Sequence, residues 1–146
     1  MELYRRENYL KKIRGFYHDS EMIKVITGVR RCGKSSLMQT IVEELKEQGV
    51  PEANLVFLDL DSKKHKSIKK PEQLEQEIDK LCSAEGMKYL FIDEIQNIIG
   101  FEEIINAYRG EKEYSVFITG SNSYLLSGEL ITKLTGRYIE IEMLPL

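Results

Sequence analysis

The chain has 146 residues, 42% of them apolar and 31% charged, and a formal net charge of −3. This is the make-up of one soluble globular domain; it argues against a polyanion binder acting through overall charge, and no uncharged apolar run approaches the ~20 residues of a membrane span. The opening MELYRRENYLKK lacks the apolar core of a secretory leader, so a cytoplasmic location is expected, and Cys32 and Cys82, with no metal-ligand neighbours, read as reduced thiols.

Residues 2–17 read as a helix, with Leu3, Tyr9, Leu10, Ile13 and Phe16 available to dock on a core. MIKVIT (22–27) is a short apolar strand that ends in a glycine turn. From Ser35 to Gln48 the apolar residues Leu37, Met38, Ile41, Val42 and Leu45 recur on one helical face, stopped by Gly49 and Pro51. NLVFLDL (54–60) is the second strand, followed by a lysine-rich loop. Pro71 opens a helix with Leu74, Ile78, Leu81 and Cys82 on one side. KYLFID (88–93) is the third strand. Phe101, Ile104, Ile105 and Tyr108 mark a short helix closed by Gly110, and YSVFIT (114–119) is the fourth strand. Residues 122–134 read as a helix with an interruption at Ser127–Gly128. RYIEIEM (137–143) alternates apolar and charged residues, unlike the other strands, and is expected at a sheet edge. Five strands separated by helices predict an α/β three-layer domain with a parallel sheet.

GVRRCGKSS (28–36) contains the spacing G-x-x-x-x-G-K-[ST] between a strand and an amphipathic helix, the setting of a phosphate-binding loop. Gly28 and Gly33 let the backbone curl so that N–H groups converge on phosphate oxygens, and the following helix N-terminus adds partial positive charge. Lys34 would reach the β- and γ-phosphates, and the Ser35 hydroxyl would ligate Mg²⁺. Cys32 and Ser36 complete the expected phosphate-contacting stretch. Arg30 and Arg31 occupy its variable part: one is read as reaching a γ-phosphate or a partner's acidic surface while the other packs on the surface, the alternative being that both are solvated.

LFIDEIQ supplies an acid pair at the end of a buried strand, at the carboxyl edge where open α/β sheets bind ligands. Asp93 would hold Mg²⁺ through its water shell, and Glu94 would polarise an attacking water. Gln96 lies within reach of the same edge, the alternative being a solvated helix-start residue. A strand, 54–60, lies between the loop and the acid pair, as is typical of phosphate-loop proteins that hydrolyse ATP with a glutamate. No NKxD-type guanine-reading segment is present. VFITGSNS (116–123) places Thr119, Ser121 and Asn122 after an apolar strand; they could face the γ-phosphate or water, or simply cap a helix. Arg137, after Gly136, could project toward a neighbouring subunit's γ-phosphate, or be an ordinary arginine at a strand edge.

On KVITGVRRCGKSSL, YLFIDEIQNI and FITGSNSYLLSGELITKLTGRYIEIEMLPL, in that order, the chain resembles an AAA-type P-loop ATPase core, and more narrowly the ATPase domain of a bacterial and archaeal "ATP-binding protein" family. The resemblance runs from about Leu3 to the end. It implies a five-stranded parallel sheet in the order 5-1-4-3-2, ATP with Mg²⁺, and slow hydrolysis or switching. It carries the phosphate-loop roles to Gly28, Gly33, Lys34 and Ser35 and the acidic roles to Asp93 and Glu94. It carries the sensor role to Asn122 and the arginine finger to Arg137. Similar proteins usually continue past the final PL, so residues 1–146 are expected to be a single core whose first 20 residues dock on it, with a C-terminal lid or partner domain missing. The expected function is ATP binding and Mg²⁺-dependent hydrolysis coupled to a partner domain, with homo-oligomerisation through Arg137. The alternatives are a nucleotide-dependent interaction switch with little turnover and a DNA-associated module using KKHKSIKK (63–70), a stretch preferred as a solvated loop. His18 and His65 are expected to be isolated.

Overall fold

The computed structural model describes residues 2–29, 32–82, 84–121, 134 and 136–145. Its strands are β1 (Ile23–Thr27), β2 (Leu55–Asp59), β3 (Lys88–Asp93), β4 (Tyr114–Gly120) and β5 (Tyr138–Glu142). All pair in parallel, in the order β2-β3-β4-β1-β5, which is the expected 5-1-4-3-2 sheet seen from its other edge. Parallel neighbours need crossovers, and the helices supply them: α2 (Lys34–Glu47) leads from β1 toward β2, α3 (Pro71–Leu81) from β2 to β3, and α4 (Phe101–Glu111) from β3 to β4. The chain enters through α1 (Glu2–Ile13).

Strand alternation splits the apolar residues into two cores, one on each face of the sheet. Leu74 and Ile78 of α3 and Phe101, Ile105 and Tyr108 of α4 pack with Val25, Leu58, Ile92 and Ile118. On the other face, Leu10, Ile13 and Tyr17 join Leu37, Met38, Ile41 and Leu45 of α2 over Ile26, Phe91 and Phe117. Each such side chain contributes about 1.5–3 kcal/mol by leaving water. The register sets Phe57 beside Phe91 and Phe91 beside Phe117. The last two rings stack with centroids 4.5 Å apart, and the three make an aromatic row across the strands that carry the acid pair.

Several local expectations change. β5 is at one edge, as its alternation suggests, and β2 is at the other, as the expected order implies; its continuous apolar run fits there because Val56 and Leu58 are covered on one face while Leu55 and Phe57 are half-covered on the other. The first helix stops at Ile13 and tightens into a 3₁₀ turn over Arg14–Phe16, so Tyr17 rather than Phe16 enters the core. Gly110 lies inside α4, and the chain leaves that helix at Lys112, which takes the left-handed conformation itself (φ 61°). Leu81 is exposed beside the buried Leu74 and Ile78. The histidines are not isolated: His18 bridges the Tyr89 hydroxyl (2.7 Å) and the Gln48 side-chain oxygen (2.8 Å), and His65 is buried with Nδ1 3.7 Å from Glu77 Oε2. His65 and Ile68 turn inward and anchor the basic loop, whose five lysines between 63 and 70 all stay exposed. The helix expected over 122–134 lies, except for Leu134, outside the described residues.

Candidate functional site

All five strands point the same way, so the turns that follow β1, β3 and β4 meet at one edge of the sheet. After Thr27 the chain bends at Gly28, where a Cβ would stand 2.5 Å from Cys32 Sγ and 2.9 Å from the Met143 carbonyl. Glycine is required there because the end of β5 closes down on the loop, with Met143 N–H donating to the Thr27 carbonyl at 2.7 Å. Gly33, left-handed at φ 97°, turns the chain into α2, and no side chain caps that helix. The amides of its first turn are thereby available to an anion. Cys32 is buried against Gly28 with its N–H on the Val29 carbonyl, so its thiol faces the core rather than the loop's interior. Ser36 is exposed on the first turn of α2.

Lys34 is only 5% exposed. Its ammonium donates to the Gly28 carbonyl at 2.7 Å and lies 3.7 Å from Glu94 Oε2. Asp93 is buried too, and burial pushes its carboxyl above the usual range against hydrogen bonds from Thr119 and Ser35 that pull it down. Ser35 of the loop therefore stands close enough to Asp93 of β3 to act on its carboxyl. Thr119 Oγ1 donates to Asp93 Oδ1 and accepts the Glu94 N–H at 2.9 Å. Asp59 lies opposite Asp93 across β2 and β3 and adds to its upward shift. Glu94 takes the left-handed conformation (φ 61°, ψ 54°), and its Oε1 accepts from Gln96 Nε2 at 2.8 Å. The set of hard oxygen donors, Ser35 hydroxyl beside Asp93 carboxylate, suits Mg²⁺ rather than a softer metal.

The fold thus brings Gly28, Gly33, Lys34, Ser35, Asp93 and Glu94 to one edge. Arg30, Arg31 and Asn122 lie outside the described residues. Arg137 is elsewhere: its carbonyl accepts the Ile23 N–H at the start of β1, and its exposed side chain lies 3.6 Å from Glu21. The strand between Ile23 and the loop is about 16 Å long, at ~3.3 Å per residue, which is beyond an arginine's reach. Thr119 is fully buried between Asp93 and Glu94 and orders the acid pair, a contact that neither the phosphate-facing nor the capping alternative named. Met143 was not foreseen at the loop; only the pairing of β5 with β1 reveals it. Gln96 makes a contact that its place in DEIQ merely allowed.

Residues 20–146 match the family described as AAA domain. The chain belongs to that family. Membership supports ATP binding at the loop, and the fold is shared with proteins of distant sequence. An uncharacterized protein of Haemophilus influenzae is 43% identical over 142 residues, covering 97% of this chain and 35% of that one. Uncharacterized protein MJ1544 of Methanocaldococcus jannaschii is 34% identical over 125 residues, covering 85% and 26%. The chain spans about a third or less of the length of these curated relatives. Among solved structures, PCH-2 of C. elegans superposes with a TM-score of 0.65 at 17% identity, over 97% of this chain and 43% of that one. AMPPCP-bound DnaA of Aquifex aeolicus superposes at 0.56 and 17% identity, over 92% and 43%. Among the described residues, no helix is long and apolar enough to cross a membrane.

Proposed function

We propose that this AAA domain hydrolyses ATP with Mg²⁺ and couples turnover to a partner domain. The observation that carries the reading is the linked set of contacts Gly28–Lys34–Glu94 and Glu94–Thr119–Asp93 at the carboxyl edge of the sheet, with Ser35 of the loop beside Asp93. ATP would bring its phosphates onto the amides of the loop and the first turn of α2. Lys34, now shared between a carbonyl and a carboxylate, would exchange that environment for the β- and γ-phosphate oxygens. Ser35 and Asp93 would hold Mg²⁺, which neutralises charge on those oxygens. Glu94 would accept a proton as water oxygen bonds to the γ-phosphorus and the bond to the β-phosphate oxygen breaks. Asn122 would serve as the polar sensor.

Arg137, at the opposite end of β1, would act on the site of a second copy, which makes a homo-oligomer part of the proposal. Glu94→Gln tests the hydrolytic step. Mg·ATP affinity by calorimetry should persist while phosphate release falls to a small residue, by a factor on the order of 10²–10⁴. Equal release by the variant would remove Glu94 as base. Tight binding with near-zero release by both proteins would make the domain a nucleotide-dependent switch instead.

A further inference from the structure

We propose that Gln96 is a positioning residue that aims the Glu94 carboxylate into the phosphate loop, an inference that rests on the hydrolytic reading above. Glu94 leaves β3 in a left-handed conformation that non-glycine residues adopt only where their surroundings hold them. Three contacts do so. Its N–H is fixed by Thr119 Oγ1 at 2.9 Å. The following residue, Ile95, is fully buried and pins the 3₁₀ turn Ile95–Asn97. Gln96 then folds back, and its Nε2 donates to Glu94 Oε1 at 2.8 Å.

The orientation of that amide is decided by chemistry. Turned over, it would set two oxygens 2.8 Å apart, both acceptors. In the observed orientation, Gln96 Oε1 is buried and has no hydrogen-bond partner among the described residues. Here the donor is committed to Glu94. The result is a carboxylate with both oxygens directed: Oε1 by Gln96, and Oε2 toward Lys34 at 3.7 Å. Without the amide, rotation about the last side-chain bond would carry Oε2 away from Lys34. Neighbouring Asn97 faces the other way, donating to Asp61 Oδ1 at 2.7 Å, so the two adjacent amides have separate tasks.

The test uses Gln96→Ala and Glu94→Gln, alone and together, with steady-state phosphate release and Mg·ATP calorimetry. Gln96→Ala should lower kcat about tenfold or more while KM and affinity stay within about twofold, as expected for lost orientation rather than lost binding. In the Glu94→Gln background it should lower kcat no further, because its effect passes through Glu94. A multiplicative loss in the double variant, a loss confined to KM, or a rise in kcat would each overturn the proposal. A second readout is independent of turnover. The Gln96 side-chain amide resonance, identified by its loss in Gln96→Ala, should exchange slowly with solvent and lose that protection in Glu94→Ala. Fast exchange in the unmodified protein would overturn the contact itself. No phosphate release by the unmodified protein, with the amide still protected, would overturn the hydrolytic reading and with it the positioning role, leaving only the contact.

Discussion

Of the lysines buried among the described residues, Lys24 and Lys34 lie one toward each end of the same strand–loop unit, and they do opposite work. Lys24 in β1 is wholly enclosed, and its ammonium donates to the Asp19 carbonyl at 2.6 Å and Ser115 Oγ at 2.8 Å, 4.8 Å from the centre of the Phe117 ring. Ser115 passes the connection to the Tyr17 carbonyl at 2.6 Å. These partners tie the segment entering β1 to β4. Lys34 is buried almost as deeply, but faces a carbonyl and the Glu94 carboxylate beside an uncapped helix N-terminus. Burial alone therefore does not mark a functional lysine. What does is a partner set that an incoming anion can replace. Lys24 is held by groups sealed in the core; Lys34 is held by groups beside the uncapped start of α2 at the carboxyl edge of the sheet.

The largest effect should separate the pair directly. Lys34→Ala should weaken Mg·ATP binding by about a hundredfold or more, roughly 2.7 kcal/mol, with little change in melting temperature. Lys24→Ala should do the reverse: affinity is retained while about 2–4 kcal/mol of stability is lost to a cavity and two orphaned acceptors. Calorimetry and thermal melts on both variants check this, and parallel losses in both quantities would erase the distinction.

Within the loop, Gly28→Ala should be the worse glycine substitution. Its Cβ would meet Cys32 Sγ at 2.5 Å, whereas at Gly33 the nearest atom is 3.6 Å away. Gly33→Ala should cost about 1 kcal/mol from its left-handed backbone alone, and Gly28→Ala roughly 2–3 kcal/mol with a clear loss of nucleotide affinity. Equal melting temperatures for the two would remove Met143 and Cys32 as constraints on the loop.

A smaller effect should appear in the pH dependence. Burial pulls Lys24 down to about 7, partly offset by Asp19, against an ordinary value of 10.5. Between those values the unfolded chain carries a proton that the native state lacks, so stability from this group rises with pH across that window and is lost as pH falls toward 7. Melts from pH 7 to 10 should show that slope, and Lys24→Met should flatten it. An unchanged slope in Lys24→Met would assign it to other groups. The smallest effect is expected at Arg14, whose exposed guanidinium pairs with Glu7 and Glu44. Arg14→Ala should lower the melting temperature by about a degree or two at low salt and by nothing measurable at 1 M salt, because water and ions screen such pairs. A salt-independent loss would mean that Arg14 contributes through packing.

The phosphate loop was legible because its chemistry is contiguous: glycines, lysine and serine lie within eight residues, between a strand and a helix. Asp93 and Glu94 were legible because an apolar run that ends in acids reports its own edge. Thr119 could be noticed as polar, but its bridge to Asp93 spans 26 positions. Met143 reaches Gly28 only through the pairing of β5 with β1. Arg137 carried a finger-like context, yet which end of the sheet it occupies depends on the register that sets Ile23 beside Tyr138. The edge position of β2 followed from the resemblance and not from its own pattern, because a continuous apolar run does not say how many strands flank it.

By itself, the sequence determined the five strands, the helices that connect the first four and the parallel α/β class, and it marked the candidate phosphate loop and acid pair. These rest on local spacing, since turn geometry and helical or strand periodicity are carried by residues a few positions apart. The strand order entered by resemblance to a family rather than by periodicity. Only the tertiary structure decided that Lys34 faces Glu94 while Lys24 is sealed into the core, that Gln96 turns back on the carboxylate, and that Arg137 stands at the far end of β1. Those facts depend on register and on partners distant along the chain, and no local preference encodes which distant partner a side chain will meet.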